Sequence, residues 1–255
     1  MADPAPTPTP GTPSTKRSTL TPDYQRDWPS YFDSVKDQPP RDTLLRALDA
    51  FERERSATSP DRQGGVSFHS SSPHPFAIDI ACGEGRDTRE MLRRGWRVLA
   101  LDSDPEGVRR TLAQLDPAWR ERCAVRQMIM EEIPSLLQPP PIGRGLGVRC
   151  SFASGTPHLI NASFALPFCS PDAFPALWQW ITRTLAPGGR FCGQFFGDRD
   201  EWACVRPKSH FTRAQALELL APFDIEHLEE VEKDGSDAMG GTKHHHVFHV
   251  VARKR

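Results

Sequence analysis

The chain lacks an excess of either charge: 32 lysines and arginines stand against 33 aspartates and glutamates, a formal net charge of −1. Proteins that live on nucleic-acid backbones show a basic excess, so a nucleic-acid partner is not expected. No apolar run is long enough to span a bilayer, and no membrane partner is expected either. The opening "MADPAPTPTPGTPSTK" has no apolar stretch of the kind a signal peptide needs. The six cysteines, Cys82, Cys123, Cys150, Cys169, Cys192 and Cys204, contain no CxxC pair. That scatter suits reduced thiols in a cytoplasmic protein better than a disulfide framework or a zinc site. No metal centre is expected.

What is present falls into two parts. Residues 1–22 are rich in Pro and Thr and nearly free of large apolar side chains. They cannot offset chain entropy and are expected to form a disordered tail. A single folded domain is expected over 23–255, starting at the aromatic anchors Tyr24, Trp28, Tyr31 and Phe32. A helix follows from about Arg41, with Leu44, Leu48 and Phe51 on one face, and then a polar loop.

From Phe76 apolar runs alternate with helical patterns. "FAIDIA" reads as a strand buried on both faces, followed by a helix over 87–94 and a second strand, "WRVLAL". Asp104 and Pro105 open the next helix, with Val108, Leu112 and Leu115 expected on its inner face. "RCAVRQ" and, past a Pro- and Gly-rich insertion at 136–157, "HLINASF" read as strands three and four. Ser170 is expected to cap a helix striped by Phe174, Leu177, Trp178, Ile181 and Leu185. "RFCGQFF" is strand five, Thr212 and Gln215 form a capping box, and two closing strands pair as an antiparallel hairpin. The fold class is therefore α/β, a seven-stranded, mostly parallel sheet covered on both faces.

The decisive stretch is "AIDIACGEGRD". Gly83 and Gly85 occupy the first two places of a dinucleotide fingerprint, but Thr88 stands in the third. A tight turn alone explains two glycines. Asp79, however, lies inside an apolar strand where an unpaired carboxylate is costly, and a bound ammonium group would serve it. Asp102 ends the second strand, where an acid can take both hydroxyls of a ribose. An ammonium group and a ribose without pyrophosphate describe S-adenosylmethionine better than NAD.

The run "AIDIACGEGRDTREMLRRGWRVLALDSDPEGV" resembles the cofactor-binding segment of class I S-adenosylmethionine-dependent methyltransferases, nearest the tellurite-resistance and thiopurine methyltransferase subgroup. "INASFALPFCSPDAFPALW", "LAPGGRFCGQFFGDRDEW" and "KHHHVFHVVARK" extend the likeness. It implies a Rossmann-like fold, S-adenosylmethionine as cofactor and methyl transfer to a small molecule. Methylation of protein or RNA, and a non-catalytic cofactor-binding module, are the alternatives. It also implies that Asp79 orients the amino group, that the backbone at Ala81, Gly83 and Gly85 runs beside the ligand, and that Asp102 holds the ribose with Ser103 at the adenine. Met130 and Glu131 would border the base, and Asn161 the methionine portion. Arg86 is either a carboxylate partner or a solvated helix charge. Two departures stand out: Ala81 replaces the first glycine of the usual D-x-G-x-G-x-G, and the acid usual directly after strand three is not obvious, "QMIMEEIP" offering Met128, Ile129, Met130 and Glu131 there instead.

No nucleophile–base pair is evident, which suits a reaction whose methyl group is already activated. "NASF" occupies the place of the N-P-P-[YF] of amino-group base methylases, but Ala162 and Ser163 replace both rigid prolines. Phe164, Phe195 and Trp202 are candidate walls of an acceptor pocket, although aromatic residues near a sheet edge more often serve packing. On the last strand His244 and His246 share one face and His245 and His249 the other, with His244 or His246 expected toward the acceptor.

Overall fold

In the computed structural model, residues 27–57, 74–136, 155–204 and 208–255 are described. The expected tail at 1–22 and the loop after the first long helix lie outside them, as does most of the 136–157 insertion. A short helix, α1 (Trp28–Ser34), capped by Asp27, precedes α2 (Asp42–Ala57). Then follow β1 (Phe76–Ile80), α3 (Arg86–Arg93), β2 (Arg97–Asp102), α4 (Pro105–Ala113), β3 (Cys123–Gln127), β4 (Leu159–Ala162), α5 (Phe174–Thr184) and β5 (Arg190–Gly197). The chain closes with β6 (His210–Phe211), α6 (Arg213–Leu219), β7 (Phe223–Ser236) and β8 (Thr242–Lys254).

The strand order is β3-β2-β1-β4-β5-β8-β7, parallel except where β8 runs antiparallel to both neighbours. The sheet has eight strands rather than the expected seven, because the two-residue β6 pairs with Phe196 and Gly197 at the end of β5. So short a strand carries no period for the sequence to display.

Alternate residues of each strand serve opposite faces. Ile78, Ile80, Leu101, Ile160 and Phe195 pack toward α5 and α6, while Ala77, Val98, Ala100 and Cys192 pack toward α2 and α3. Leu44, Leu48 and Phe51 of α2 are buried as their spacing implies. Arg190 fixes α2 to the sheet: its guanidinium is 2 % exposed, meets Glu54 and Glu226 at 2.6 Å each, and lies 4.4 Å from the Phe51 ring centroid.

Two helical details differ from expectation. The inner face of α4 is Gly107 and Thr111, with Leu115 just beyond, whereas Leu112 is 50 % exposed. The small residues let α4 lie close against the glycine turn, so the apolar residues mislead about its phase. Ser170 caps the turn before α5, its hydroxyl accepting the Ala173 N–H at 3.3 Å, and the helix begins only at Phe174. β7 and β8 are much longer than β5 and pair with each other from Phe223↔Lys254 to Ser236↔Thr242. Beyond the end of β5 they continue as a two-stranded ribbon.

Candidate active site

The turn between β1 and α3 is built on left-handed backbone. Ala81, Gly83 and Gly85 have φ of 56°, 58° and 85°. Gly85 is demanded twice over, since a Cβ there would also lie 2.8 Å from the Thr111 hydroxyl oxygen. Ala81 keeps its methyl because that methyl is exposed, although its φ is one that glycine adopts more readily. The turn is fastened by Asp102, whose Oδ2 accepts the Gly83 N–H at 2.7 Å and whose Oδ1 accepts the Asp104 N–H at 2.8 Å. Burial raises the Asp102 pKa, and those backbone donors oppose the rise.

Behind the turn lies a closed polar network. Asp79 is 1 % exposed, accepting from the Thr88 hydroxyl at 2.5 Å and from Asn161 Nδ2 at 2.8 Å. Asn161 Nδ2 also donates to Asp87 at 3.1 Å, while its Oδ1 accepts from Ser163 and Cys192. Burial, with the charge of Asp87 second, pushes the Asp79 carboxyl up to about 7. Asp87 in turn accepts the Arg41 N–H at 3.0 Å, tying the entrance of α2 to the start of α3.

In front of the turn is a cavity of about 1220 Å³ at the carboxyl ends of the strands, the edge where open α/β sheets hold ligands. Of the residues singled out from sequence, Ala81, Gly83, Asp102, Ser103, Met130 and Glu131 line it. Asp79 and Asn161 lie behind its wall in the network just described. Gly85 is packed against Thr111, and Arg86 sits 3.9 Å from Asp87.

The opposite wall is aromatic: Trp28, Phe164, Phe168, Phe196 and Trp202 all border the cavity. Phe195, one residue out of phase, is fully buried on the other face of the sheet against Trp178. The last strand shows the same parity. Lys243, His245, Val247 and His249 line the cavity, so His245 and His249 take the place expected of His244 and His246. His246 is wholly buried on the reverse face, within a cluster with Glu230 and Glu232. The Arg199 guanidinium occupies that cluster, 2.6 Å from Glu232, 3.2 Å from Glu230 and 3.3 Å from His246 Nε2.

Three residues escaped the sequence reading: Arg41, Gln194 and Asp87. Arg41 lines the cavity with its Cζ 4.6 Å from the Phe164 ring centroid, and burial lowers its pKa. Gln194 is a buried amide in an apolar strand, the same signal that singled out Asp79.

No protein-family model matches the sequence, and no curated protein matches it either. Solved structures do. TehB from Haemophilus influenzae superposes with a TM-score of 0.55 at 12% identity, over 72% of this chain and 58% of its own. The chain thus spans little more than half the length of TehB. The 1,6-didemethyltoxoflavin-N1-methyltransferase of Burkholderia thailandensis, solved with S-adenosylhomocysteine, gives 0.53 at 22% identity, over 89% of this chain and 84% of its own. The N-methyltransferase NodS of Bradyrhizobium japonicum WM9, also solved with S-adenosylhomocysteine, gives 0.50 at 13% identity, over 89% and 97%. The chain therefore has the Rossmann-like α/β fold found in S-adenosylmethionine-dependent methyltransferases.

Proposed function

We propose that this protein transfers a methyl group from S-adenosylmethionine to a small-molecule acceptor. The observation that carries this reading is the Asp102 carboxylate at the cavity edge, tied to Gly83 and Asp104 beside a left-handed turn. Each of its oxygens accepts one backbone N–H and keeps a lone pair for a ribose hydroxyl. Ala81 and Gly83 offer backbone along the ligand, and Ser103, Met130 and Glu131 border the place of the adenine. These donors and acceptors fit the cofactor.

Bound S-adenosylmethionine supplies a methyl group already activated on a sulfonium. The protein's part is to orient the acceptor and exclude water. Asp79, Asn161 and Asp87 act behind the turn by fixing its shape. Arg86 beside Asp87 remains a candidate for the cofactor carboxylate. Phe164 and the ribbon of β7 and β8 border the acceptor end. A small acceptor is favoured by the Burkholderia enzyme, which shares the fold and was solved with 1,6-didemethyltoxoflavin, a small molecule, bound. Cys82, Cys123, Cys169, Cys192 and Cys204 are free thiols, in keeping with a cytoplasmic setting. Among the described residues no helix is long and apolar enough to cross a membrane.

The test is turnover of methyl-labelled cofactor with an extract of the source cells, split into small-molecule and macromolecular fractions. Label in the small-molecule fraction is expected. Label confined to macromolecules would assign the acceptor to protein or RNA, and label in neither, with cofactor still bound, would make the protein a binding module.

A further inference from the structure

We propose that His249 is the general base of the methyl transfer, taking the proton from an acceptor that arrives with its reacting nitrogen or oxygen still protonated. The proposal rests on the methyltransferase reading above, with the acceptor at the Phe164 end of the cavity. His249 lines the cavity from β8, its ring centroid 6.0 Å from that of Phe164 and the two rings nearly perpendicular. It is half-buried, and among the described residues neither of its ring nitrogens has a hydrogen-bond partner. The other histidines of β8 are engaged or set apart. His244 Nδ1 lies 2.8 Å from Asp234, while His246 accepts the Arg199 N–H with Nδ1 and meets Glu230 at 2.9 Å with Nε2. His245 faces the cavity four residues farther along, beyond the last pair with β5 and beside Gly235. A cavity-facing imidazole with an uncommitted lone pair is what proton removal requires.

The surroundings keep this ring neutral and ready for a proton. Across the sheet it is paired with Gln194 of β5 and Glu229 of β7. The titratable groups that face it are Glu229 and His227 of β7, with Arg41 and Asp42 at the start of α2. Burial lowers the His249 pKa most, His227 and Arg41 act in the same direction, and Glu229 and Asp42 oppose them. The neutral ring is therefore the resting form at pH 7, and Glu229 favours the imidazolium once it forms. In the step, a lone pair on the nitrogen or oxygen of a neutral acceptor forms the bond to the methyl carbon. The carbon–sulfur bond breaks, and its electron pair stays on sulfur as neutral S-adenosylhomocysteine. The proton of the acceptor atom passes to His249, and from the imidazolium to water. One positive charge enters on the sulfonium and one leaves as that proton.

Nuclear magnetic resonance titration of the histidine rings in the full chain tests this without an acceptor. The His249 signal is identified by its loss in His249→Gln or His249→Asn. S-adenosylmethionine carries a sulfonium charge that S-adenosylhomocysteine lacks, and a base within reach of the transferring methyl senses that charge. The His249 midpoint is expected at least about 0.5 pH lower with S-adenosylmethionine than with S-adenosylhomocysteine, while His244 stays unmoved. An equal His249 midpoint in the two complexes, or a His249 protonated at pH 7 with S-adenosylmethionine bound, would overturn the proposal. Turnover of methyl-labelled cofactor with the small-molecule fraction gives a second reading. The wild-type rate is expected to rise with pH through the His249 midpoint, whereas His249→Gln runs at least about tenfold slower at pH 7 and lacks that rise. A folded His249→Gln with the wild-type rate and pH profile would overturn the proposal as well. Calorimetry separates the two readings, because His249→Gln is expected to bind S-adenosylhomocysteine as the wild type does. Failure of the wild type to bind either form would contradict the cofactor assignment itself, and this proposal with it.

Discussion

The Gln194 side-chain oxygen accepts the backbone N–H of Phe164 at 2.7 Å, and Phe164 is held there with φ of 51°. A bulky residue in the left-handed region is an outlier that its surroundings must enforce. The same Gln194 donates to the Thr43 hydroxyl at 3.0 Å, so one buried amide joins the aromatic wall of the cavity to α2. Gln194→Leu is expected to cost about 2–3 kcal/mol in urea unfolding by stranding both partners. Turnover should fall further than stability alone explains, as Phe164 relaxes. Wild-type turnover in a folded Gln194→Leu variant would show that the Phe164 conformation is incidental.

Asp79 gives a pH signature. Its folded value, about 7, lies above that of an unfolded aspartate. The folded state therefore keeps a proton that the unfolded chain releases, and the stabilisation from this group fades as pH rises from about 4 to about 7. Asp79→Asn carries no such proton and can still accept from Asn161. Relative to wild type, the variant is expected to gain more than about 1 kcal/mol between pH 4.5 and pH 8, an order-of-magnitude figure, read from urea midpoints. Parallel pH profiles would refute a raised Asp79.

Gly197 and Gly235 make a matched pair. A Cβ on Gly197 would overlap the buried His246 ring, whereas one on Gly235 would meet only His245 at an ordinary 3.6 Å. Gly197→Ala is expected to destabilise by about 2–3 kcal/mol as His246 is displaced from Glu230. Gly235→Ala should stay within about 0.5 kcal/mol. Equal effects of the two substitutions would contradict this packing.

Asp102→Ala removes the proposed ribose acceptor and also frees the N–H groups of Gly83 and Asp104. S-adenosylhomocysteine affinity is expected to fall at least about tenfold, with a smaller loss in melting temperature. Unchanged affinity would remove Asp102 from the cofactor site.

Where one residue meets one local rule, the sequence was informative. The unbroken run at β1, the Thr212–Gln215 capping box and the stripe of α2 all appear in the structure as their spacing implies. Errors arose where a shift of one residue reverses the answer. Phe195 faces the core while Phe196 faces the cavity, and His245 and His249 line the cavity while His246 lies behind it. Parity along a strand depends on which face carries the site, and that is settled only by the strand order. The aromatic wall is legible only in part. Phe164 and Trp202 stand out in the sequence as candidate walls, whereas Trp28, Phe168 and Phe196 come from other segments that only the fold brings beside them. Asp79 was recognised as a buried acid wanting a partner, but its neighbours Thr88 and Asn161 supply hydrogen bonds from within the chain.

The most direct measurement is calorimetric titration of the full chain with S-adenosylhomocysteine, with NADH as a control. Saturable binding at one equivalent, tighter than about 100 μM, is expected for S-adenosylhomocysteine and none for NADH. A folded protein that gives no heat with S-adenosylhomocysteine at about 1 mM, or binds NADH instead, would contradict the assignment of this cavity.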